Sequence, residues 1–385
     1  MSAKLCDPRG PVMTFRQYFL YGLLLFSPVY YAHAESSMLQ VPAEYYRRIS
    51  IAVADPNSVC SDNIDPYVST LALTSKYEGS DDSRSDINDD AQAEYLESVA
   101  TIRAMEKMAA EASDKFIKTG DLTVAQCFLN NLSAWAKAGA LLSDDVNEVG
   151  QAVRKWFLAA TGIAYLKIQS IRSDNGGMTQ NEQVDRWFGH LARAVMSFYS
   201  DRPIEKVNNH DYWAAWAVMV TAVNLQDHDM YRWAMAKFDQ ALGQIDGDGY
   251  LENELARENK ALEYHNFALQ PLAMLAVFTT ANGDNLFDSH DRALSRLTTR
   301  VVEGLQNPDI FAQRTGYTQD TEGLYTAYSL AWIVPFHKYF SMQWPSDLGL
   351  ESFSKLTNSR LGGDLSWQFN VNLPTRPSDE SAEAH

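Results

Sequence analysis

From about Ala91 almost to the end of the chain, apolar residues recur at three- and four-residue spacing, in stretches long enough to form helices. Short polar connections such as Thr119-Gly120-Asp121 separate these stretches. Strand-like alternation is scarce, and no sheet can be assembled from the remaining residues. The pattern predicts helices near Ala91–Lys118, Thr123–Leu142, Val146–Ile171, Asn181–Phe198, Tyr212–Val223, Met230–Gln244, Lys260–Thr280, His290–Leu305 and Thr321–Phe340.

Helices joined by short turns pack as antiparallel pairs, and a long series of such pairs either stacks into a solenoid or closes into a toroid. The sequence shows no repeat of about 34 or about 40 residues, which would be typical of a tetratricopeptide or HEAT solenoid. We therefore predict an all-α fold that closes into an irregular α/α barrel. A chain of 385 residues is long enough for one large core or two smaller ones.

The N-terminus is typical of an export signal. Basic residues precede the apolar run Tyr18–Tyr31, and Ala32-His33-Ala34 supplies the small residues that a signal peptidase prefers. The alternative is a membrane anchor, but a spanning helix needs about 20 apolar residues, and this run is shorter and contains Pro28. We predict a signal peptide over 1–34, one domain over 35–370 with no further membrane span, and a polar, disordered tail over 371–385.

Cleavage of the signal would remove Cys6 and leave Cys60 and Cys127 as the remaining thiols. A lone pair of cysteines in an oxidising compartment favours a disulfide, which would tie the N-terminal arm to a helix. The alternative is two free, buried cysteines.

The formal net charge of −17 argues against a nucleic-acid or anionic-membrane partner, because such partners are bound mainly by clustered Lys and Arg. An acidic polymer would need a locally basic cleft. Aromatic residues make up 12% of the chain, with nine Trp. Flat rings along a cleft suit sugar faces, although most such rings belong to the core.

Polar groups are concentrated beside aromatic residues in three segments, which cover residues 75–81, 208–216 and 253–266. Each segment alone has an ordinary explanation. Asn208 or Asn209 would cap the helix that follows, and His210 would be a hydrogen-bonded histidine at a helix end. Arg257 and Tyr264 are seven residues apart, so on a continuous helix they would share one face, about 10 Å apart along the axis.

Together these residue types suit removal of the proton α to a sugar carboxylate, with expulsion of the oxygen at C4. Asn209 and Arg257 can neutralise the carboxylate, on which negative charge develops. Neutral His210 is a candidate base, and Tyr264, with a reference pKa near 10, is a candidate acid. This chemistry needs no cofactor, and the sequence has no HExxH, paired CxxC, Gly-rich phosphate loop or GxSxG motif.

The three segments resemble the mannuronate-specific alginate lyases of polysaccharide lyase family 5. The resemblance covers about residues 41–365 and is carried, in order and spacing, by SKYEGSD at 75–81, NNHxYWAAW at 208–216, NExxR at 253–257, YHNxAL at 264–269 and RLGGDL at 360–365. It implies an incomplete α/α toroid with an open substrate cleft, and a periplasmic enzyme that cleaves β-1,4-linked D-mannuronate in alginate. We expect a monomer without a cofactor.

Carried onto matching positions, the resemblance implies that Asn209 and Arg257 neutralise the carboxylate while His210 and Tyr264 transfer protons. The loop over 75–90 would be a lid on the substrate. The substrate-binding residues would be Lys76, Tyr77, Trp213 and His265. In mannuronate the C5 proton and the C4 oxygen leave from the same side, so Tyr264 alone could serve as base and acid. We favour that mechanism slightly over one with His210 as base.

Two positions depart from the pattern that we expect in the family. Asp211 stands where we expect a small polar residue, and it would orient His210, raise the pKa of His210, or face solvent at a helix start. Glu252 stands where we expect Pro, and its charge would weaken binding of an anionic chain.

Three other functions fit parts of the sequence. The first is an alginate-binding component of a secretion complex with little turnover, although a binder has no need of a proton-transfer pair. The second is a lyase for another polyuronate, such as polyglucuronate. The third, a helical-toroid glycosidase, would need two carboxylates about 5–10 Å apart, and no such pair is identifiable in the sequence.

Overall fold

Four long helices form the inside of the fold, and all but the first of them are buried on nearly all sides. In the computed structural model, which describes residues 38–46, 63–79, 83–169, 181–341, 345 and 348–372, helices α2, α4, α6 and α9 pack side by side in that order. A helix that is apolar all round requires burial on every side. The thirteen α-helices described are α1 Asp89–Ser98, α2 Ala100–Thr119, α3 Leu122–Ala138, α4 Glu148–Gln169, α5 Glu182–Tyr199, α6 Asn209–Leu225, α7 His228–Gly243, α8 Glu252–Leu255, α9 Ala261–Ala281, α10 Ser289–Gln306, α11 Asp309–Thr315, α12 Ile333–Phe340 and α13 Leu365–Gln368.

The helices that follow the inner ones along the chain form an outer layer. Helix α3 packs on α2, α5 on α4, α7 on α6 and α10 on α9, while α3 contacts α5 and α7 contacts α10. These helices bury one face, as α5 does with Val184, Phe188, Leu191 and Val195. The alternation of inner and outer helices is the arrangement of an α/α toroid, and the described residues from Leu39 onward belong to one compact unit.

A C-terminal segment packs across the inner helices α2 and α4. It contains two short antiparallel strands, β1 (Thr357–Asn358) and β2 (Gly363–Asp364). Lys167 of α4 donates to the Gly362 carbonyl at 2.6 Å and pairs with the Asp114 carboxylate of α2. The segment therefore fixes the neighbouring Arg360 beside the inner helices.

Most predicted helices are found within three residues of their predicted ends, with two clear differences. The predicted helix Ala91–Lys118 is divided at Val99, which has φ −101° and ψ 5°. Of Thr321–Phe340, the α-helix is α12, which begins at Ile333. Thr326 and Ser329 exchange bonds between their backbone N–H groups and hydroxyls, both 3.1 Å. Such side-chain bonds compete with a helix ladder.

Several predictions fall partly on residues outside the described ranges. The predicted signal peptide, Cys60 and all but the first two residues of the tail over 371–385 lie outside them. Cys127 is disulfide-bonded. Because Cys60 lies outside the described residues, its pairing with Cys127 stays a prediction. No helix in the part of the chain that the structure describes is long and apolar enough to cross a membrane.

Candidate active site

The first turn of α6 carries two of the predicted catalytic residues. Helix α6 begins at Asn209, and Asn208 caps it by accepting a hydrogen bond from the His210 backbone N–H at 3.0 Å. The Asp211 carboxylate accepts from the Asn208 N–H at 3.2 Å, which completes a capping box. The caps hold the backbone at Asn209 and His210 in one conformation.

Asp211 is completely buried, so the expectation that it faces solvent is wrong. Its carboxylate lies 2.7 Å from Arg202 Nη1 and 3.6 Å from Lys237 Nζ. Two cations and a backbone N–H thus neutralise the buried charge. The placement of Asp211 at a helix start is confirmed, and its carboxylate stabilises that start rather than the imidazole of His210.

Glu254 of α8 orients the Asn209 side chain. Its Oε1 accepts from the Asn209 backbone N–H at 2.6 Å, and its two oxygens lie 3.1 and 3.2 Å from Asn209 Nδ2. Asn209 Oδ1 is buried and finds no hydrogen-bond partner among the described residues. Burial raises the pKa of Glu254 to about 7, although the bonds from Asn209 favour the carboxylate.

Arg257 and Tyr264 are in contact, although they do not share a continuous helix. Arg257 lies in a turn between α8 and α9, where Glu258 has a φ of 53°, and Tyr264 lies in the first turns of α9. The turn brings the guanidinium carbon to 3.7 Å from the centroid of the Tyr264 ring. A cation at this distance stabilises negative charge on the phenol.

The loop that begins at residue 75 lies over this pair. Tyr77 Oη is 2.9 Å from Tyr264 Oη, and Arg257 Nη2 donates to the backbone carbonyl of Arg84. The ends of the loop are joined, because the Asn88 N–H donates to the Lys76 carbonyl at 3.0 Å. Lys76 Nζ lies 4.8 Å from the centroid of the Tyr77 ring. The position of the loop fits its predicted role as a lid.

Burial governs the protonation of Tyr264. Only 9% of the residue is exposed, and burial raises its pKa well above 10, although the charge of Arg257 lowers it and Tyr77 adds to the rise. Tyr264 is therefore a phenol at rest, ready to give a proton.

His210 lies against a buried lysine of α4. Its Nδ1 is 2.8 Å from Lys155 Nζ, and its ring centroid is 5.8 Å from that of Trp156. Burial lowers the pKa of His210 well below 6.5, and the positive charges of Lys155 and Arg202 lower it further. His210 is therefore neutral at neutral pH.

The surroundings of His210 are locally basic in an acidic protein. Arg84 and Arg257 also lower the pKa of His210, and the guanidinium carbon of Arg360 lies 4.3 Å from the centroid of the Trp156 ring. An anionic polymer would find several cations here. Among the described residues, no group of three or more His, Cys, Asp or Glu could hold a metal ion.

Similarity to known proteins accords with this arrangement. The sequence matches the family model described as Alginate lyase over residues 72–311. It is 37% identical over 340 residues to an alginate lyase of Pseudomonas aeruginosa, covering 88% of this chain and 92% of that protein. It is 36% identical over 332 residues to an alginate lyase of Cobetia marina, covering 85% and 88%. The chain belongs to the alginate lyase family.

Solved structures confirm the fold predicted for this alginate lyase family member. The crystal structure of alginate lyase A1-III from Sphingomonas species A1 matches with a TM-score of 0.69 and 25% identity, covering 86% of this chain and 90% of that one. An alginate lyase from Bacteroides ovatus matches with a TM-score of 0.55 and 15% identity, covering 86% and 90%. The incomplete α/α toroid predicted from the sequence is thus confirmed.

Two predicted substrate-binding residues of this alginate lyase family member lie in its core. Trp213 is completely buried, with its ring centroid 5.2 Å from that of Phe267. His265 is also completely buried; its Nδ1 lies 2.7 Å from the Ala261 carbonyl oxygen and its Nε2 accepts from the Leu251 N–H at 2.9 Å. Trp213 therefore lies in the core between α6 and α9, and His265 ties α9 to the start of α8. The prediction that they contact the sugar is corrected.

Three residues around His210 and Asn209 of this alginate lyase family member were not predicted from the sequence. Lys155 and Trp156 of α4 contact His210, and Glu254 orients Asn209. Glu254 was inside a quoted motif but had no assigned role. Lys155, directly before the largely apolar stretch 156–166, was a signal, because a charged residue in a buried helix needs partners. Trp156 is partly exposed and can present its ring to a sugar.

Proposed function

We propose that this chain cleaves β-1,4-linked D-mannuronate in alginate by β-elimination. The products are oligosaccharides with an unsaturated 4-deoxy uronate at the new non-reducing end. The contact between Arg257 and Tyr264, 3.7 Å from guanidinium carbon to ring centroid, carries this proposal. It joins a carboxylate-binding cation to a proton-transfer group at one sugar ring.

Neutralisation of the uronate carboxylate comes first. Removing the C5 proton spreads negative charge onto the adjacent carboxylate, so donors fixed beforehand at that position stabilise the transition state. Arg257 supplies a charged donor, and its Nε is buried without a hydrogen-bond partner among the described residues. Asn209 supplies an amide that Glu254 holds in place.

Proton transfer follows from the stereochemistry of mannuronate. The C5–H bond and the C4–O bond break, the C4–C5 double bond forms, and the leaving oxygen takes a proton, so no water or co-reactant is consumed. Tyr264 as a phenolate removes the C5 proton and then, as a phenol, protonates the oxygen that leaves on the same side. The phenolate is favoured by Arg257 and opposed by burial. Its proton is released to solvent, and Tyr77 Oη, 2.9 Å away, can donate a hydrogen bond to the phenolate oxygen.

Product formation tests the proposal directly. We expect ultraviolet absorbance of the unsaturated uronate to grow when the purified protein is incubated with polymannuronate, and to stay flat with polyguluronate and polyglucuronate. Growth with polyglucuronate alone would identify a lyase for another polymer. Binding of polymannuronate without product would identify a binding component of an export complex and refute the lyase proposal.

We also propose that the protein acts in the periplasm after removal of residues 1–34. The basic start, the apolar run Tyr18–Tyr31 and the sequence Ala32-His33-Ala34 support this location. Expression of the full chain should give a periplasmic protein whose N-terminal residue is Glu35. Recovery of an uncleaved protein in the cytoplasm or membrane fraction would contradict it.

A further inference from the structure

Lys155 is a completely buried lysine that the elimination mechanism described above does not use. Its Nζ donates to Tyr199 Oη at 2.9 Å and lies 2.8 Å from His210 Nδ1. The same nitrogen lies 4.8 Å from the Trp156 ring centroid and 5.0 Å from the Tyr199 ring centroid. Two hydrogen-bonding atoms and two aromatic faces thus surround one buried amine.

The two aromatic faces and the two hydrogen-bonding atoms offset part of the cost of burying an ammonium group. Aromatic faces attract a cation, and the negative charge of Asp211 also raises the pKa of Lys155, although burial lowers it and dominates. A lysine ammonium has three donors and no acceptor. When Lys155 is an ammonium, His210 Nδ1 accepts the hydrogen bond, and the proton of the neutral imidazole resides on Nε2.

We propose that Lys155 is a positioning residue that holds His210 in the tautomer with its proton on Nε2. This inference rests on the proposed function, since it concerns the role of His210 in the elimination. Held in this way, His210 donates a hydrogen bond to the substrate but has no free lone pair with which to remove a proton. Tyr264 is then the base as well as the acid.

The tautomer also bears on the choice of uronate. In polymannuronate one phenol can serve both bonds, because the C5 proton and the C4 oxygen lie on the same side. In polyguluronate, the C5 epimer, they lie on opposite sides, so a second group must remove the proton. His210 cannot accept a proton in this tautomer, so it cannot serve as that second base. Lys155 thereby restricts cleavage to mannuronate.

The tautomer can be read without any substrate. We would label histidine with nitrogen-15, record two-bond nitrogen–proton spectra of the imidazoles at pH 8, and assign His210 from the spectrum of His210→Gln. The expected pattern is an unprotonated Nδ1 and a protonated Nε2. A neutral Lys155 amine could instead accept a hydrogen bond from His210 Nδ1–H. A protonated Nδ1 in the unaltered protein therefore overturns the proposal.

Lys155→Met removes the donor but keeps an apolar chain of similar length. We expect its His210 signals to move toward a mixture of tautomers, its kcat on polymannuronate to fall about 10-fold or more because a fixed donor is lost, and cleavage of polyguluronate to become measurable. An unchanged tautomer in a folded variant rejects the assignment.

Lys237→Met is the matched control. Lys237 is also a buried lysine, and its Nζ lies 3.6 Å from the Asp211 carboxylate. We expect its His210 tautomer and its ratio of polymannuronate to polyguluronate cleavage to match the unaltered protein. A shift as large as that of Lys155→Met would overturn the specific role of Lys155.

The two proposals fail separately. If Lys155→Met does not fold, the spectrum of the unaltered protein still decides the tautomer. If the unaltered protein makes no product from polymannuronate, the lyase proposal fails while the tautomer remains measurable.

Discussion

Tyr264 is subject to two opposing effects on one phenol. Burial favours the neutral form, and the Arg257 guanidinium against the ring face favours the phenolate. In the proposed mechanism the resting residue is an acid, and its conversion to a base depends on a cation that also binds the substrate carboxylate. Carboxylate binding and proton removal are therefore coupled at a single arginine.

Removing the Tyr264 hydroxyl tests this role. We expect Tyr264→Phe to lower kcat on polymannuronate at least ~10²-fold, the usual effect of losing a proton-transfer group, while KM changes little. Tyr231→Phe, which removes another buried hydroxyl, bonded to Asp284 at 2.6 Å, should keep normal turnover. Near-normal turnover in Tyr264→Phe would show that the phenol is not the acid.

The Glu254 carboxyl group beside Asn209 titrates near neutral pH. Its pKa is about 7, so the carboxylate that holds the Asn209 amide forms as pH rises through 7 and is lost below it. We expect kcat to rise with pH through about 7. His210 is not the source of this rise, because its pKa is well below 6.5 and it is already neutral.

Glu254→Gln should lower kcat and abolish the rise near pH 7. The new side chain has an NH₂ group in place of one carboxylate oxygen, and this group cannot accept the hydrogen bond from Asn209 Nδ2. Glu252→Gln, at an exposed position on the same short helix, should keep the rise. Rate measurements from pH 5 to 9 decide the matter, and a rise that persists in Glu254→Gln assigns it to another group.

At the residue scale, the sequence predicted the groups inside motifs and missed those that orient them. Residue type and motif position suggested chemical roles for Asn209, His210, Arg257 and Tyr264. Lys155 and His210 are 55 positions apart in the sequence, so local residue spacing cannot predict their contact. Burial of Trp213 is also nonlocal, since it depends on Phe267 of another helix.

At the element scale, the first turn of α6 depends on a buried charge cluster. Asp211→Ala would remove the capping-box acceptor and leave Arg202 and Lys237 without their shared carboxylate. Loss of one partner of a buried ion pair costs about 3–5 kcal/mol. We expect a decrease of that size in the free energy of unfolding from denaturant titration, together with a lower kcat, because Asn209 and His210 lie in this turn.

Asp229→Ala is the control at the start of the next helix, α7. Asp229 is exposed and pairs with Arg232 within one turn, so its loss should cost less than about 1 kcal/mol. Equal losses in Asp211→Ala and Asp229→Ala would mean that burial of the Asp211 charge adds nothing to the helix start.

Helix positions followed from periodicity, and helix ends followed from caps. Gly120 and Gly139 end α2 and α3 in the left-handed conformation, as glycine favours. Periodicity failed over residues 321–332 because the apolar spacing there resembles a helix, whereas Thr326 and Ser329 bond to nearby backbone groups. Spacing reports which face is buried, and it does not report such local competition.

At the scale of the whole molecule, the sequence predicted a closed helical fold from short connections and the absence of a repeat. It did not predict which helices lie inside. Three of the inner helices, α4, α6 and α9, lack a broad polar face, and each is followed by a more amphipathic outer helix. The contribution of the C-terminal segment depends on long-range pairs, such as Lys118 with Asp364 at 2.6 Å, which periodicity cannot show.

Gly363 tests how far this C-terminal segment stabilises the molecule. It has a φ of 86°, and a Cβ at this position would clash with the Asp114 carboxylate, whose Oδ2 accepts from the Asp364 N–H at 2.8 Å. We expect Gly363→Ala to lower the free energy of unfolding by ~2–4 kcal/mol, from backbone strain and overpacking together. Gly316→Ala has a similar φ of 82° and no neighbour within 4 Å, so strain alone, ~1 kcal/mol, should remain.

Because Asp114 also pairs with Lys167 of α4, displacing its carboxylate loosens two inner helices at once. Thermal unfolding should therefore show one cooperative transition at lower temperature in Gly363→Ala, whereas equal shifts in the two variants would show that the segment adds little to the stability of the toroid.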